Sequence, residues 1–343
     1  MDLWNYLKQA KKPIVLYGMG NGADKIISVL NRYGIKVSGV FASDGFVREK
    51  YFHGFKVTDY KTAKEAFGDM VVLVCFGSGL PDVIANIKKI AAEQELYAPD
   101  VPVYGDFLFN EQYARDNQRQ LESVYNRLAD ETSKRVFENA VRYKLTGKID
   151  YLFDCETLPQ EIYENILHLS EDEVYFDLGA YRGDTVEEFL SVVSCYKKII
   201  AVEPDFKTYN KLCVATEKVR DITNINACVS DVDGEIEFEM NGSRGSTIGK
   251  GKDVIDSVTV DSLSKIAVPS YIKMDIEGAE VAAIKGGAHT ITNYKPKMQI
   301  ASYHRSEDLF LIPKEVLKIC PDYKIYLRHF PSLPCWDMSY YFV

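Results

Sequence analysis

The segment Asp177-Leu178-Gly179-Ala180-Tyr181-Arg182-Gly183-Asp184-Thr185 directly follows an apolar run, Val174-Tyr175-Phe176. Gly179 and Gly183 let backbone approach a ligand where a Cβ would clash. A helix opening at Asp184 would present free N–H groups and a positive dipole end. Such a turn suits a dinucleotide or S-adenosylmethionine (SAM). The dinucleotide fingerprint is G-x-G-x-x-G, whereas this turn reads D-x-G-x-x-x-G-D. Asp177 ahead of it would repel a pyrophosphate and favour a ligand with an ammonium group, which SAM carries. Glu203-Pro204 ends the next apolar run, where an acid can accept both hydroxyls of a ribose. Two further groups could move a proton. Asp275, Glu277 and Glu280 fall in Ile272-Lys273-Met274-Asp275-Ile276-Glu277-Gly278-Ala279-Glu280, and His304 lies in Tyr303-His304-Arg305. Near its ordinary pKa, His304 is a candidate general base, with Asp275 to orient it. Asp275 with Glu277 could instead hold Mg²⁺, a cation that prefers oxygen ligands, so a metal stays open.

These residues need strands that end at one edge. Short apolar runs alternate with amphipathic helical patterns in two regions, the signature of βαβ units on parallel sheets. The first region, 1–110, contains Ile14–Tyr17, a Gly18-Met19-Gly20-Asn21-Gly22 turn, a helical stretch to Tyr33, Val37–Phe41 and Met70–Phe76. Asp44 sits where a ribose-binding acid would in a dinucleotide fold. Residues 111–170 carry few glycines and helical spacing, and predict a helical connector broken near Gly147 and Pro159. The second region, 171–343, predicts strands at 174–178, 198–202, 222–229, 271–275 and 297–303, with a hairpin-like insert around the Gly242–Gly251 loop. Two final extended runs, 323–330 and 336–343, predict an antiparallel hairpin at the sheet edge.

Length and composition fit this division. The chain has 343 residues, or about two domains at roughly 150 residues each. With 41 Lys+Arg against 50 Asp+Glu the net charge is −9, which argues against a nucleic-acid partner. No run approaches the ~20 apolar residues of a membrane span. Seven scattered cysteines lack zinc spacing and read as reduced thiols of a cytoplasmic protein.

The second half resembles the FkbM-type SAM-dependent O-methyltransferases. The resemblance rests on residues 176–185, Val202-Glu203-Pro204-Asp205, residues 229–236, Val260-Asp261-Ser262-Leu263, residues 272–280 and residues 303–309. It implies a class I, Rossmann-like methyltransferase domain with a mostly parallel seven-stranded sheet, preceded by the smaller α/β domain. It also implies SAM along the strand tips. Asp177, Gly179, Gly183 and Asp184, with Ala180, Tyr181 and Thr185 in the same turn, would meet the methionine end. Glu203 with Pro204 would meet the ribose, and Cys228 and Val229 would flank the adenine. The expected acceptor is a hydroxyl on a small molecule or carbohydrate; a nucleotide-linked acceptor and a homodimer stay open. The acceptor site would draw on the Gly242–Gly251 loop, the connector and the N-terminal domain. Two other readings stand beside this one. A dehydrogenase or epimerase would hold NAD at the Gly18–Gly20 turn, and a scaffold would bind a nucleotide without catalysis.

Overall fold

The computed structural model describes residues 1–47, 51–105, 107–239, 247–248 and 253–343. Its first sheet contains β1 (Ile14–Tyr17), β2 (Gly39–Phe41), β3 (Val71–Val74) and β4 (Glu95–Tyr97) in the order β2-β1-β3-β4, all parallel. Helix α1 (Asn21–Arg32) follows β1 and α2 (Pro81–Glu93) follows β3. Every residue of β1 and β3 is buried, as expected of strands covered on both faces.

Residues 111–170 are largely helical. Helix α3 (Glu131–Thr146) is capped by Asp130, whose carboxylate accepts from the Ser133 N–H at 2.7 Å. Gly147 ends it in the left-handed conformation at φ 65°.

The second sheet has seven strands: β5 (Val174–Leu178), β6 (Lys198–Val202), β7 (Ile222–Ile225), β8 (Tyr271–Met274), β9 (Lys297–Ala301), β10 (Ile325–His329) and β11 (Met338–Phe342). Their order is β10-β11-β9-β8-β5-β6-β7. Strand β11 runs antiparallel to both its neighbours, and the other neighbouring pairs are parallel. The chain order reverses between β5 and β8, which is where open α/β sheets bind ligands. Helices α4 (Asp184–Val192), α5 (Phe206–Ala215), α6 (Glu280–Gly286) and α7 (Asp308–Ile319) follow β5, β6, β8 and β9.

The run expected as one strand at 222–229 is divided. Asn226 donates its side-chain amide to the carbonyls of Glu203 and Pro204, at 2.8 and 2.9 Å. Beyond that turn Cys228–Val229 leaves the main sheet and pairs with Asp253–Val258 in a small separate sheet. Of the Gly242–Gly251 loop, Thr247–Ile248 forms a short strand and the rest lies outside the described residues.

The connector does not behave as a free linker. One core cluster contains Val15 and Tyr17 of β1, Val136 and Phe137 of α3, and Phe176 and Ile272 of the second sheet. Arg328 on β10 strengthens the join. It is 3% exposed and donates to Asp130 at 2.6 Å, Ser133 at 2.8 Å and Glu161 at 3.1 Å. Asp130 and Glu161 are each about a third exposed, so losing the charged hydrogen bonds of Arg328 costs about 1–3 kcal/mol. Arg328→Ala is therefore expected to lower stability by roughly that amount in urea unfolding. Arg328→Lys should recover only part of it, because an ammonium cannot reproduce the guanidinium fork.

Candidate active site

The tips of β5, β6 and β8 meet. Gly179 and Ala180 donate their N–H groups to the Val202 carbonyl, both at 3.0 Å, and the Asp275 N–H donates to the Leu178 carbonyl at 3.0 Å. Gly179 has φ 87°, and a Cβ there would lie 2.0 Å from the Asp275 carbonyl oxygen. No side chain fits at that position. Tyr181 adopts a left-handed φ of 47° in the same turn, as does Glu277 at 55° beside the end of β8. Backbone of this kind in non-glycine residues concentrates at functional sites.

A cavity of about 560 Å³ opens over these tips. Gly179, Tyr181, Asp184, Thr185, Glu203, Pro204, Cys228, Val229, Asp275, Glu277 and His304 all line it. Asp177, Ala180 and Gly183 do not. Asp177 is fully buried. Its Oδ2 accepts from the Thr185 hydroxyl, and its Oδ1 lies 3.7 Å from Lys273 Nζ, too long for a hydrogen bond. Burial pushes its carboxyl above the ordinary range, against the opposing pull of the Lys273 ammonium. The expectation that Asp177 contacts a ligand ammonium is therefore corrected: it anchors the turn from below. Ala180 is likewise fully buried, and Gly183 packs near Leu212.

Glu203 is 7% exposed at the end of β6. Its Oε2 accepts from the Tyr181 N–H at 3.0 Å and its Oε1 from the Asp205 N–H at 2.9 Å. Each carboxylate oxygen has a second lone pair, so two hydroxyls could still be accepted. Burial pushes the Glu203 pKa up to about 7.

His304 has no exposed surface. Its Nδ1 lies 3.0 Å from Glu280, and its Nε2 lies 3.4 Å from Asp275 and 3.5 Å from Glu277. Burial disfavours the charged ring, but Glu280 first, then Asp275 and Glu277, outweigh it and raise the pKa to about 10. At neutral pH the group is an imidazolium. The expectation of a ready His304 base is corrected on two counts, its protonation and its burial. Asp275 and Glu277, with side chains 34% and 29% exposed, are the carboxylates of this cluster that a substrate can reach, and the Tyr303 hydroxyl donates to Asp275 at 3.0 Å. Ligand atoms of Asp275, Glu280 and His304 lie within 4.8 Å of one another, so the geometric candidate for a cation differs from the expected Asp275–Glu277 pair.

Residues 177–322 match the family model of the methyltransferase FkbM domain. That part of the chain is similar to FkbM methyltransferase domains. Among solved structures, the chain is similar to the methyltransferase FkbM from Methylobacillus flagellatus KT, at 22% identity and a TM-score of 0.74, over 97% of this chain and 90% of that one. That likeness covers the fold of both halves. Weaker likenesses include a fibrillarin from Aeropyrum pernix solved with natively bound S-adenosyl-L-methionine (15% identity, TM-score 0.36, 54% and 71% coverage). Another is a precorrin-6y C5,15-methyltransferase from Geobacter metallireducens GS-15 (14%, 0.34, 51% and 80%). No curated protein matches the chain. No helix among the described residues is long and apolar enough to cross a membrane.

The second half of the chain does not wall the cavity alone. Gly77, Ser78 and Gly79, just beyond β3, line it, as do Val103 and Trp336. Sequence spacing carried no sign of these contacts, which join positions some 250 apart. Lys273, Asp205 and Asp337 were also missed as lining residues. Lys273 was findable, since it pairs in register with Asp177 on adjacent strands. Tyr104, at the exit of the first region, donates its N–H to the His304 carbonyl at 2.9 Å and lies against its ring.

The Gly18–Gly20 turn is absent from the cavity wall. A Cβ at Gly18 would lie 2.5 Å from the Phe76 ring, and one at Gly22 would lie 2.3 Å from the Cys75 carbonyl oxygen. The close approaches that these two glycines permit are made by the protein itself. Asp44 opens a short 3-10 turn, and its side chain lies outside what the structure describes.

The His304 cluster sets a pH dependence. Its folded pKa, about 10, exceeds the ordinary value of 6.5. The stabilisation is therefore complete below pH 6.5 and is lost as pH rises through 10. Thermal unfolding should show falling stability over that range, and His304→Gln should flatten the slope between pH 8 and 10. An unchanged slope would contradict the imidazolium assignment.

Proposed function

We propose that the chain is a SAM-dependent O-methyltransferase that acts on a hydroxyl of a sugar, glycan precursor or related natural product. The observation that carries the reading is Glu203, a buried carboxylate oriented by two backbone N–H groups beside a turn in which Gly179 permits no side chain. Those residues fit an adenosine ribose. Asp184 and Thr185, at the start of α4, would hold the methionine end, and Cys228 and Val229 the adenine.

When bound, SAM supplies an electrophilic methyl group on a sulfonium. The protein must align an acceptor oxygen and remove its proton. Asp275 ends a strand at the cavity and is the group we assign to receive that proton. His304 and Tyr303 fix its position, at 3.4 and 3.0 Å.

S-Adenosylhomocysteine at 100 times its Kd should stabilise the protein by about 2.7 kcal/mol, while NAD should give no shift. The opposite pattern would sink the reading. Glu203→Ala should weaken S-adenosylhomocysteine binding at least ten-fold by calorimetry. Because the Glu203 pKa is about 7, affinity should fall as pH drops below 7, and Glu203→Gln should remove that dependence. Asp275→Asn should leave this binding within about two-fold and lower turnover roughly 10²–10⁴-fold, the usual range for a lost proton acceptor.

A further inference from the structure

The cavity is longer than its cofactor end. It continues from Asp275 to a wall formed by the first domain's Gly77–Gly79 loop and by Trp336 and Asp337 of the segment before β11. Ser78 fixes that wall: its N–H and carbonyl pair with the carbonyl and N–H of Leu333, at 2.7 and 3.0 Å. A Cβ at Gly77 would lie 1.9 Å from the Trp336 ring, so the indole is seated against bare backbone. Yet Trp336 is 36% exposed, whereas Trp4, the other tryptophan, is 1% exposed. A pinned and partly open aromatic face inside a cavity is a platform for a ring or a cation.

Charge narrows the occupant. Among the described residues, seven carboxylate side chains line the cavity against two basic ones, Lys273 and His304. Both bases are paired, Lys273 with Asp177 and His304 with Asp275, Glu277 and Glu280. Outside the wall, Lys25 donates to the carbonyls of Val103 and Pro102. At the acceptor end the lining acids are Asp275, Glu277 and Asp337. Arg and Lys donors are the strongest side-chain partners of a phosphate, and no lysine or arginine among the described residues lines this end.

We propose that the acceptor is a hydroxyl-bearing ring that carries an ammonium group and no phosphate, stacked on Trp336 with its charge toward Asp337. This rests on the methyltransferase reading above, and it disfavours a nucleotide-linked acceptor. The test uses protein loaded with S-adenosylhomocysteine, whose own binding is first measured by calorimetry. Methyl glucosaminide, methyl glucoside and glucosamine 6-phosphate are then titrated and followed by saturation-transfer NMR. Methyl glucosaminide should bind at least ten-fold tighter than either other probe. Asp337→Asn should abolish the advantage over methyl glucoside; Asn tolerates the left-handed backbone that Asp337 adopts at φ 55°. Trp336→Ala should weaken the aminosugar at least ten-fold and leave the S-adenosylhomocysteine Kd unchanged. Stronger binding of the phosphorylated probe, no binding of any probe to loaded protein, or a preference that survives Asp337→Asn would overturn the proposal. Failure of S-adenosylhomocysteine to bind would instead overturn the cofactor reading.

Discussion

The site depends on one close approach, the backbone of Gly179 pressed against the carbonyl of Asp275. A Cβ at residue 179 would sit 2.0 Å from that oxygen. The glycine therefore sets how near the turn after β5 can come to the tip of β8. Backbone hydrogen bonds from Gly179 and Ala180 to Val202 draw in β6 as well. Three strand ends become one surface, with Glu203 on one side and Asp275 on the other. The strands supply this rigidity because they are buried on both faces: Phe176, Ile200 and Ile272 pack into one core with the connector, and Tyr175, Ile199 and Tyr271 into a second cluster on the other face.

Around that surface the protein places its charges in two buried groups. Asp177 and Lys273 lie on paired strands beneath the turn; Asp177 is sealed from the cavity, while Lys273 reaches its wall. His304 lies among three carboxylates, and its positive charge allows Asp275, Glu277 and Glu280 to stand close together. Tyr104, in the segment that follows the first sheet, packs over this second group. Buried charges persist only when paired, so the two groups fix strand tips that would otherwise have to neutralise or separate.

Much of this was legible in the sequence, and the exceptions have physical causes. Apolar runs located the parallel strands, because such strands are hydrophobic on both faces. The glycine spacing and Glu203 located one end of the cavity, and Asp275 with Glu277 located the other. Asp177 was misjudged because a motif gives the residue type but not whether its carboxylate faces the cavity or the sheet below. His304 was misjudged because its protonation depends on three carboxylates converging in space. The strand expected at 222–229 was divided by the Asn226 side chain, which binds two carbonyls of a different loop. The Gly77–Gly79 loop and Trp336 left no local signal, since contacts between distant segments have no period. The Gly18–Gly22 turn looked like a nucleotide-binding loop, but the missing Cβ atoms of Gly18 and Gly22 make room for Phe76 and for the Cys75 carbonyl.

The central claim is that the tips of β5, β6 and β8 hold an adenosine-bearing methyl donor next to Asp275. A crystal structure of the full chain with S-adenosylhomocysteine tests it most directly. The account predicts ribose hydroxyls within about 2.6–3.2 Å of the Glu203 carboxylate, with the ligand sulfur directed toward Asp275. Ligand bound instead at the Gly18–Gly20 turn, with Glu203 making no contact to it, would contradict the account.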